Sequence, residues 1–212
     1  MLGKKIWHYK TDSRDGMSDG LAIVVVGGKY GFVDITGTVV IEPRFDRAWS
    51  FEGGLARVEM NGKQGLIDKT GSVVVPPEFE ELTTYYEGRA IITAAGKLGY
   101  IDEKGQTVIP VDFDEAWPFF EGVARVKKGE KCFYVDMAGK PAFAAEFDDA
   151  WSFCEGLAAV KANNLWGFIN HSGCVVIGPQ FDDVNSFEGG LARVVQGNKG
   201  FFIDQSGNFV KE

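Results

Sequence analysis

GLARVEMNGKQGLIDKTGSVVVPPEFEELTTYYE, residues Gly54–Glu87, contains the whole architecture in one copy. Leu55-Ala56-Arg57-Val58-Glu59 alternates and is rich in β-formers, which predicts a strand. Asn61-Gly62 follows, a pair suited to a type I′ hairpin turn because both positions need positive φ. Lys63 to Asp68 then reads as a returning strand. Asp68-Lys69-Thr70-Gly71 reads as a tight turn, with the carboxylate placed to accept backbone N–H groups. Val73-Val74-Val75 is a third strand, which Pro76-Pro77 is expected to end, since proline cannot donate to a ladder. About a dozen residues then carry the chain to the next copy.

The same reading applies at a step of 34 residues, six times. Ala22, Ala56, Ala90, Ala124, Ala158 and Ala192 keep that step, as do Gly37, Gly71, Gly105, Gly139, Gly173 and Gly207. So does the turn series Asp34, Asp68, Asp102, Asp136, Asn170 and Asp204. A fixed period means one supersecondary unit stacked on itself. Residues 1–19 read as a lead-in with a partial repeat, in which Ile6-Trp7 stands where a third strand would, and residues 20–212 as one domain of six repeats.

The strand faces indicate how the units stack. One side of the returning strand carries Phe32, Leu66, Tyr100, Phe133, Phe168 and Phe201 or Phe202; the other carries Val33, Ile67, Ile101, Val135, Ile169 and Ile203. The alignment is read as slipping by one residue in the fourth and sixth copies, where Phe133 and Phe201 replace a glycine. A sheet with one wet face would alternate apolar and polar residues. These strands read as buried on both sides, so each small sheet is expected to stack face to face on its neighbours. The expected fold class is all-β: three-stranded antiparallel meanders stacked either as an open solenoid or superhelix, or as a propeller-like ring. No segment shows a sustained 3.6-residue apolar period, so little helix is expected.

The connectors carry the most distinctive side chains. Phe45, Phe79, Phe113, Phe147 and Phe181 keep step, each followed by an acid: Asp46, Glu80, Asp114, Asp148 and Asp182. A second acid follows in four copies, Glu81, Glu115, Asp149 and Asp183, with Arg47 in the other. Then come Trp49, Thr83, Trp117, Trp151 and Asn185, and two residues further Phe51, Tyr85, Phe119, Phe153 and Phe187. One reading is an aromatic and acidic stripe that stacks a sugar or peptide. The other is packing, with the acids capping turns, and aromatics that recur in every unit favour it. Trp49, Trp117 and Trp151 are the candidate binding residues, because a residue lost in two of five copies suits a partly exposed position.

Bulk properties exclude several functions. A net charge of −8 disfavours nucleic acid and anionic membrane as partners. The longest clean apolar run, about Leu21 to Val26, falls far short of the ~20 residues of a spanning helix. The N-terminus has lysines but no apolar stretch behind them, so it does not read as a signal peptide, and a cytoplasmic location is expected unless a leader was removed. Cys132, Cys154 and Cys174 occupy three different repeat positions and are expected to be free thiols. His8 and His171 are the only histidines and lie in distant regions, which disfavours a zinc site or a histidine-based triad. The turn aspartates could line one edge and bind Ca²⁺, but no single turn has the ligand density of an EF-hand loop, so a structural role is expected for them. No cofactor is expected.

The unit Lys-x-Gly-aromatic-Ile-Asp-x-x-Gly-x-Val-Val-x-Pro-x-Phe-Asp-x-Ala-x-x-Phe-x-Glu-Gly-Leu-Ala-x-Val resembles the bacterial WG β-repeat, or KWG repeat, family over residues 20 to 212. The name-giving pair is present as Trp166-Gly167, while Gly31, Gly65 and Gly99 keep the glycine alone. The fourth copy departs most, with Cys132-Phe133 for the pair and Pro141-Ala142-Phe143 in the third strand. The resemblance implies a repeat module for interactions and supplies no catalytic residue set. The expectation is a non-enzymatic protein that binds another protein, with carbohydrate or small-ligand binding through the same tryptophans as the alternative.

Overall fold

The computed structural model describes residues 8–9 and 16–210. Among them there is no helix; the strands form six antiparallel sheets, one per repeat. The lead-in contributes His8–Tyr9, which pairs with Ala22–Val26. Ile6-Trp7, read above as strand, lies outside the described residues.

The second repeat shows how sequence becomes sheet. Leu55–Met60 and Lys63–Asp68 form the hairpin, and Asn61 and Gly62 take φ of 53° and 74°, as a type I′ turn needs. Val73–Phe79 completes the meander. The connector adds a fourth, two-residue strand, Arg47–Ala48, against the opening strand. The meander is thus as expected, and the connector supplies an extra strand too short to show a period.

The outer strand does not stop at Pro76-Pro77. Gln64 pairs with Phe79 and Leu66 with Val75, so Pro76, Pro77 and Glu78 bow across the single residue Gly65. A Cβ on Gly65 would lie 2.4 Å from the Val75 carbonyl oxygen and 2.7 Å from Pro77 N. Glycine is required there because another backbone passes, and proline is tolerated because the bulge asks for no ladder donor. The first, third and fifth repeats have the same register shift and the same seven-residue outer strand.

The fourth repeat shows what happens without the glycine. Phe133 occupies its place, the sheet keeps three strands, and Pro141 and Phe147 make only isolated bridges to Val135 and Cys132. The one-residue slip expected there is corrected. Tyr134, not Phe133, stands in step with Tyr100: both are fully buried, and both donate their hydroxyls, to Trp117 O at 2.8 Å and to Trp151 O at 2.6 Å. The chain keeps its register and gives up the outer strand instead. The sixth repeat, with Phe201 at the glycine place, has an outer strand of only Phe209–Val210.

The strands fall into two compact units, Met1–Thr84 with Ile92–Ala95 and Lys104–Gln106, and Tyr85–Ile91 with Gly96–Glu103 and Thr107–Glu212. Within each, sheets pack face to face through aromatic pairs. In the first unit Phe32 meets Phe51 at 4.7 Å between ring centroids. In the second, Tyr100 meets Phe119, Tyr134 meets Phe153, and Phe168 meets Phe187, at 5.1, 5.1 and 4.9 Å. All four are edge-to-face, an arrangement worth about 0.5–1.5 kcal/mol beyond area burial. The connector phenylalanines therefore seal one sheet onto the next.

Candidate functional site

The connector edge is where side chains leave the framework pattern. Its first acids are taken up by caps. Asp46, Asp114, Asp148 and Asp182 each accept the backbone N–H of the next hairpin turn, from Asn61, Gly129, Asn163 and Gly197. Asp46, Asp114 and Asp148 also bind the lysine that opens the preceding returning strand, Lys29, Lys97 and Lys131. The lysine holds each of these carboxyls below the usual range. The step that made these acids look like a stripe is the step of a capping device.

A second device was legible only as the Glu-Gly of the consensus. Glu87, Glu121 and Glu155 sit at φ of 47°, 54° and 53°. Their carboxylates accept amides of the next copy: Glu121 and Gly122, then Gly156, then Gly189 and Gly190. Asp19 does the same for Gly54. The strained backbone conformation aims each carboxylate forward.

The turn residues behave as expected of structural caps. Asp34, Asp68, Asp136, Asn170 and Asp204 each accept two backbone amides, two and four residues on. Among the described residues no three His, Cys, Asp or Glu side chains group to hold a metal ion. His171 Nε2 lies 2.9 Å from Glu121 Oε2 and its ring stacks on Phe153 at 4.1 Å. Cys154 donates its thiol to Phe187 O at 3.1 Å, and burial pushes that thiol up in pKa. The three cysteines are free thiols. Among the described residues no helix is long and apolar enough to cross a membrane.

The tryptophans remain. Each is half-buried, and each backbone N–H extends the short strand by bonding Arg57 O, Arg125 O or Ala159 O, at 3.0, 3.1 and 2.9 Å. Their side chains differ. The Arg57 guanidinium lies 4.1 Å over Trp49 and donates to Leu82 O at 2.6 Å. In the second unit Arg125 lies 3.4 Å over Trp117 and faces Asp149 at 3.6 Å. Trp151 has Ala159 where the arginine would be; it packs edge-on to Trp166 at 6.0 Å and against the core around Phe168. The structure thus joins Trp49 and Trp117 each to an arginine and sets Trp151 apart. Sequence reading missed the arginines. The available signal was an arginine eight residues after Trp49 and Trp117 but not after Trp151.

The sheet repeat, its glycine-gated outer strand and its connector define a tandem β-module protein. The WG containing repeat family matches residues 30–63, 65–97, 99–132, 133–166 and 166–199, and the chain belongs to that family. No curated protein matches it. A solved structure described as that of the eukaryotic initiation factor is 14% identical, over 86% of this chain and 60% of its own, with a TM-score of 0.51. PorZ, described as an essential bacterial surface component of the type-IX secretion system of Porphyromonas gingivalis, is 12% identical, over 92% of this chain and 31% of its own, with a TM-score of 0.41. The chain thus spans less than two thirds of the length of either. The first likeness is one of fold, and the structural neighbours are propeller-like.

Proposed function

We propose that this chain is a non-enzymatic interaction module that binds a protein partner along its connector edge. The observation that supports this most is the pair of stacked couples Trp49–Arg57 and Trp117–Arg125, in which half-buried indoles lie on largely buried guanidinium groups. Tryptophan and arginine dominate the energetics of protein interfaces, and a stacked pair presents both already ordered. The first acids of the connector, Asp46, Asp114, Asp148 and Asp182, are engaged in caps, which sets these couples apart from them. Sugar stacking is less well served, because a guanidinium already covers one face of each of these indoles.

The test is capture of a partner from the source cell by the wild-type chain and by Trp49→Ala/Trp117→Ala, with circular dichroism as a check on folding. Loss of a captured protein from a folded variant supports the proposal. Undiminished capture by the folded variant contradicts it, and quenching of tryptophan emission by a glycan, with no protein captured, would move the reading to carbohydrate. Trp151 is tested separately as Trp151→Phe, which preserves its packing on Trp166.

A further inference from the structure

Two aromatic rings on neighbouring turns of the second unit stand outside its core. Tyr86 is 46% and Phe120 is 40% exposed, yet their centroids lie 5.9 Å apart, with the ring planes tilted by 45°. Each ring opens a tight turn into the next strand. Tyr86 exchanges two backbone hydrogen bonds with Arg89, and Phe120 does so with Val123. The residues between, Glu87-Gly88 and Glu121-Gly122, all have positive φ, so both turns are of the two-residue kind. The fold asks for no ring at this position, which is held by Ser18, Glu52, Cys154 and Glu188 in the other copies. Glu87 joins the two turns. Its carboxylate accepts the N–H groups of Glu121 and Gly122, both at 2.9 Å, so it stands beside Phe120 in space as well as beside Tyr86 in sequence. These two bonds are to neutral amides and leave a lone pair on each oxygen, whereas Asp114 and Asp148 are held by lysines. Arg89, the nearest cation along the chain, donates instead to the carbonyls of Gly88 and Met137, at 3.0 and 3.2 Å.

We infer that the Tyr86–Phe120 couple and the Glu87 carboxylate form a docking site for an arginine side chain on an extended segment of a partner protein. Two observations specify that occupant. The first is charge complementarity. Ring faces attract a cation, and a carboxylate beside them adds a full negative charge. An apolar occupant would cover Glu87 without pairing it, which is costly. A planar guanidinium stacks on a ring and still donates to a carboxylate, which an ammonium does less well. The second observation is the chain's own example of that arrangement. Arg125 lies 3.4 Å over the Trp117 ring and faces the Asp149 carboxylate at 3.6 Å. The turn edge offers the same two partners, ring and carboxylate, with no guanidinium of the chain stacked on Tyr86 or Phe120 among the described residues. The site does not depend on the tryptophan–arginine couples of the connector, and its loss would leave that reading standing.

The test is an NMR titration of the intact, isotope-labelled chain with the capped tripeptide Gly-Arg-Gly at millimolar concentrations. Saturable shifts are expected at the amides of Glu87, Phe120 and Glu121, the last of which bonds the Glu87 carboxylate. Capped Gly-citrulline-Gly, the neutral isostere, should leave them unmoved, and Gly-Lys-Gly should bind more weakly than the arginine peptide. Phe120→Leu keeps apolar bulk and removes the ring face, so it should weaken arginine binding about fivefold, the loss of one cation–π contact. Phe120→Ser, which copies Ser18, should weaken it at least as much, and an otherwise unchanged amide spectrum shows that either variant is folded. Trp117→Ala should leave the response intact. Absence of the shifts overturns the inference. So does equal binding by the citrulline or lysine peptide, or by the Phe120→Leu chain. Tighter binding of choline at the same amides would reassign the site to a small ammonium ligand, and self-association abolished by Phe120→Ser would reassign it to a second copy of the chain; either overturns it.

Discussion

Gly167→Ala and Gly178→Ala add the same methyl group at neighbouring places in one sheet and should have opposite outcomes. A Cβ at Gly167 would sit 2.5 Å from Ile177 O and 2.7 Å from Pro179 N, both backbone atoms. Ordinary carbon contacts begin near 3.4 Å, so the outer strand must move by about 1 Å or lose its ladder. Overpacking against backbone that cannot rotate away costs about 1–3 kcal/mol. At roughly 2–4 °C per kcal/mol for a chain of this size, the melting temperature should fall by about 2–12 °C. A Cβ at Gly178 meets nothing within 4 Å, and that residue has an ordinary φ. Gly178→Ala should therefore stay within about 0.5 kcal/mol of wild type or gain slightly from a stiffer unfolded chain. Thermal melts give the totals, and amide exchange over Val175–Phe181 shows whether the loss is local. Equal melting temperatures for the two variants would refute the reasoning about the glycine gate.

Other consequences follow from single contacts. Tyr134→Phe leaves the Trp151 carbonyl without its 2.6 Å donor and should cost about 1–3 kcal/mol in urea unfolding. Tyr30→Phe, in the first sheet, serves as the control, since it deletes a hydroxyl outside that seam. Glu155→Ala loses the bonds to Gly189 and Gly190 while keeping an L-residue at φ 53°; Glu155→Gly loses the bonds but relieves the backbone. Melts should rank wild type above Glu155→Gly and Glu155→Gly above Glu155→Ala. Asp34, Asp68 and Asp204 have carboxyls lowered from 3.8, chiefly by hydrogen bonds from Thr36, Thr70 and Asn208. A lowered folded value contributes stability above the unfolded value, lost as pH falls through the folded one. The urea midpoint should therefore decline below about pH 4, and Asp68→Asn, which copies the natural Asn170, should flatten part of that decline. Tyr85 is pushed up to about 12 by burial, so its share of stability should be fully present below pH 10 and be lost as pH rises from there through about 12.

Periodic positions were readable from the sequence because each copy repeats the same constraint. The hairpin turns, the capping aspartates and the two-sided apolar strands all follow from residue type and spacing. Three features did not. The fourth strand of each sheet is two residues long and has no period of its own. The bowed outer strand depends on what Gly65 or Gly167 lacks, and its prolines read locally as a stop. The Phe133 substitution looked like a slip in register, because a phenylalanine beside Tyr134 offers two candidates for one buried place; only the glycine's steric role decides between them. At the candidate site the tryptophans were visible, but the arginines eight residues later pair with them across the sheet, a contact that strand identity alone does not supply.

Amide hydrogen exchange along the intact chain tests the central claim, that 34-residue sheets repeat in step and keep a full seven-residue outer strand only where glycine lies beneath it. Outer-strand segments Val39–Phe45, Val73–Phe79 and Val175–Phe181 should exchange slowly, while residues 143–146, beside Phe133, should exchange orders of magnitude faster. Protection at 143–146 equal to that at Val175–Phe181 would contradict the account.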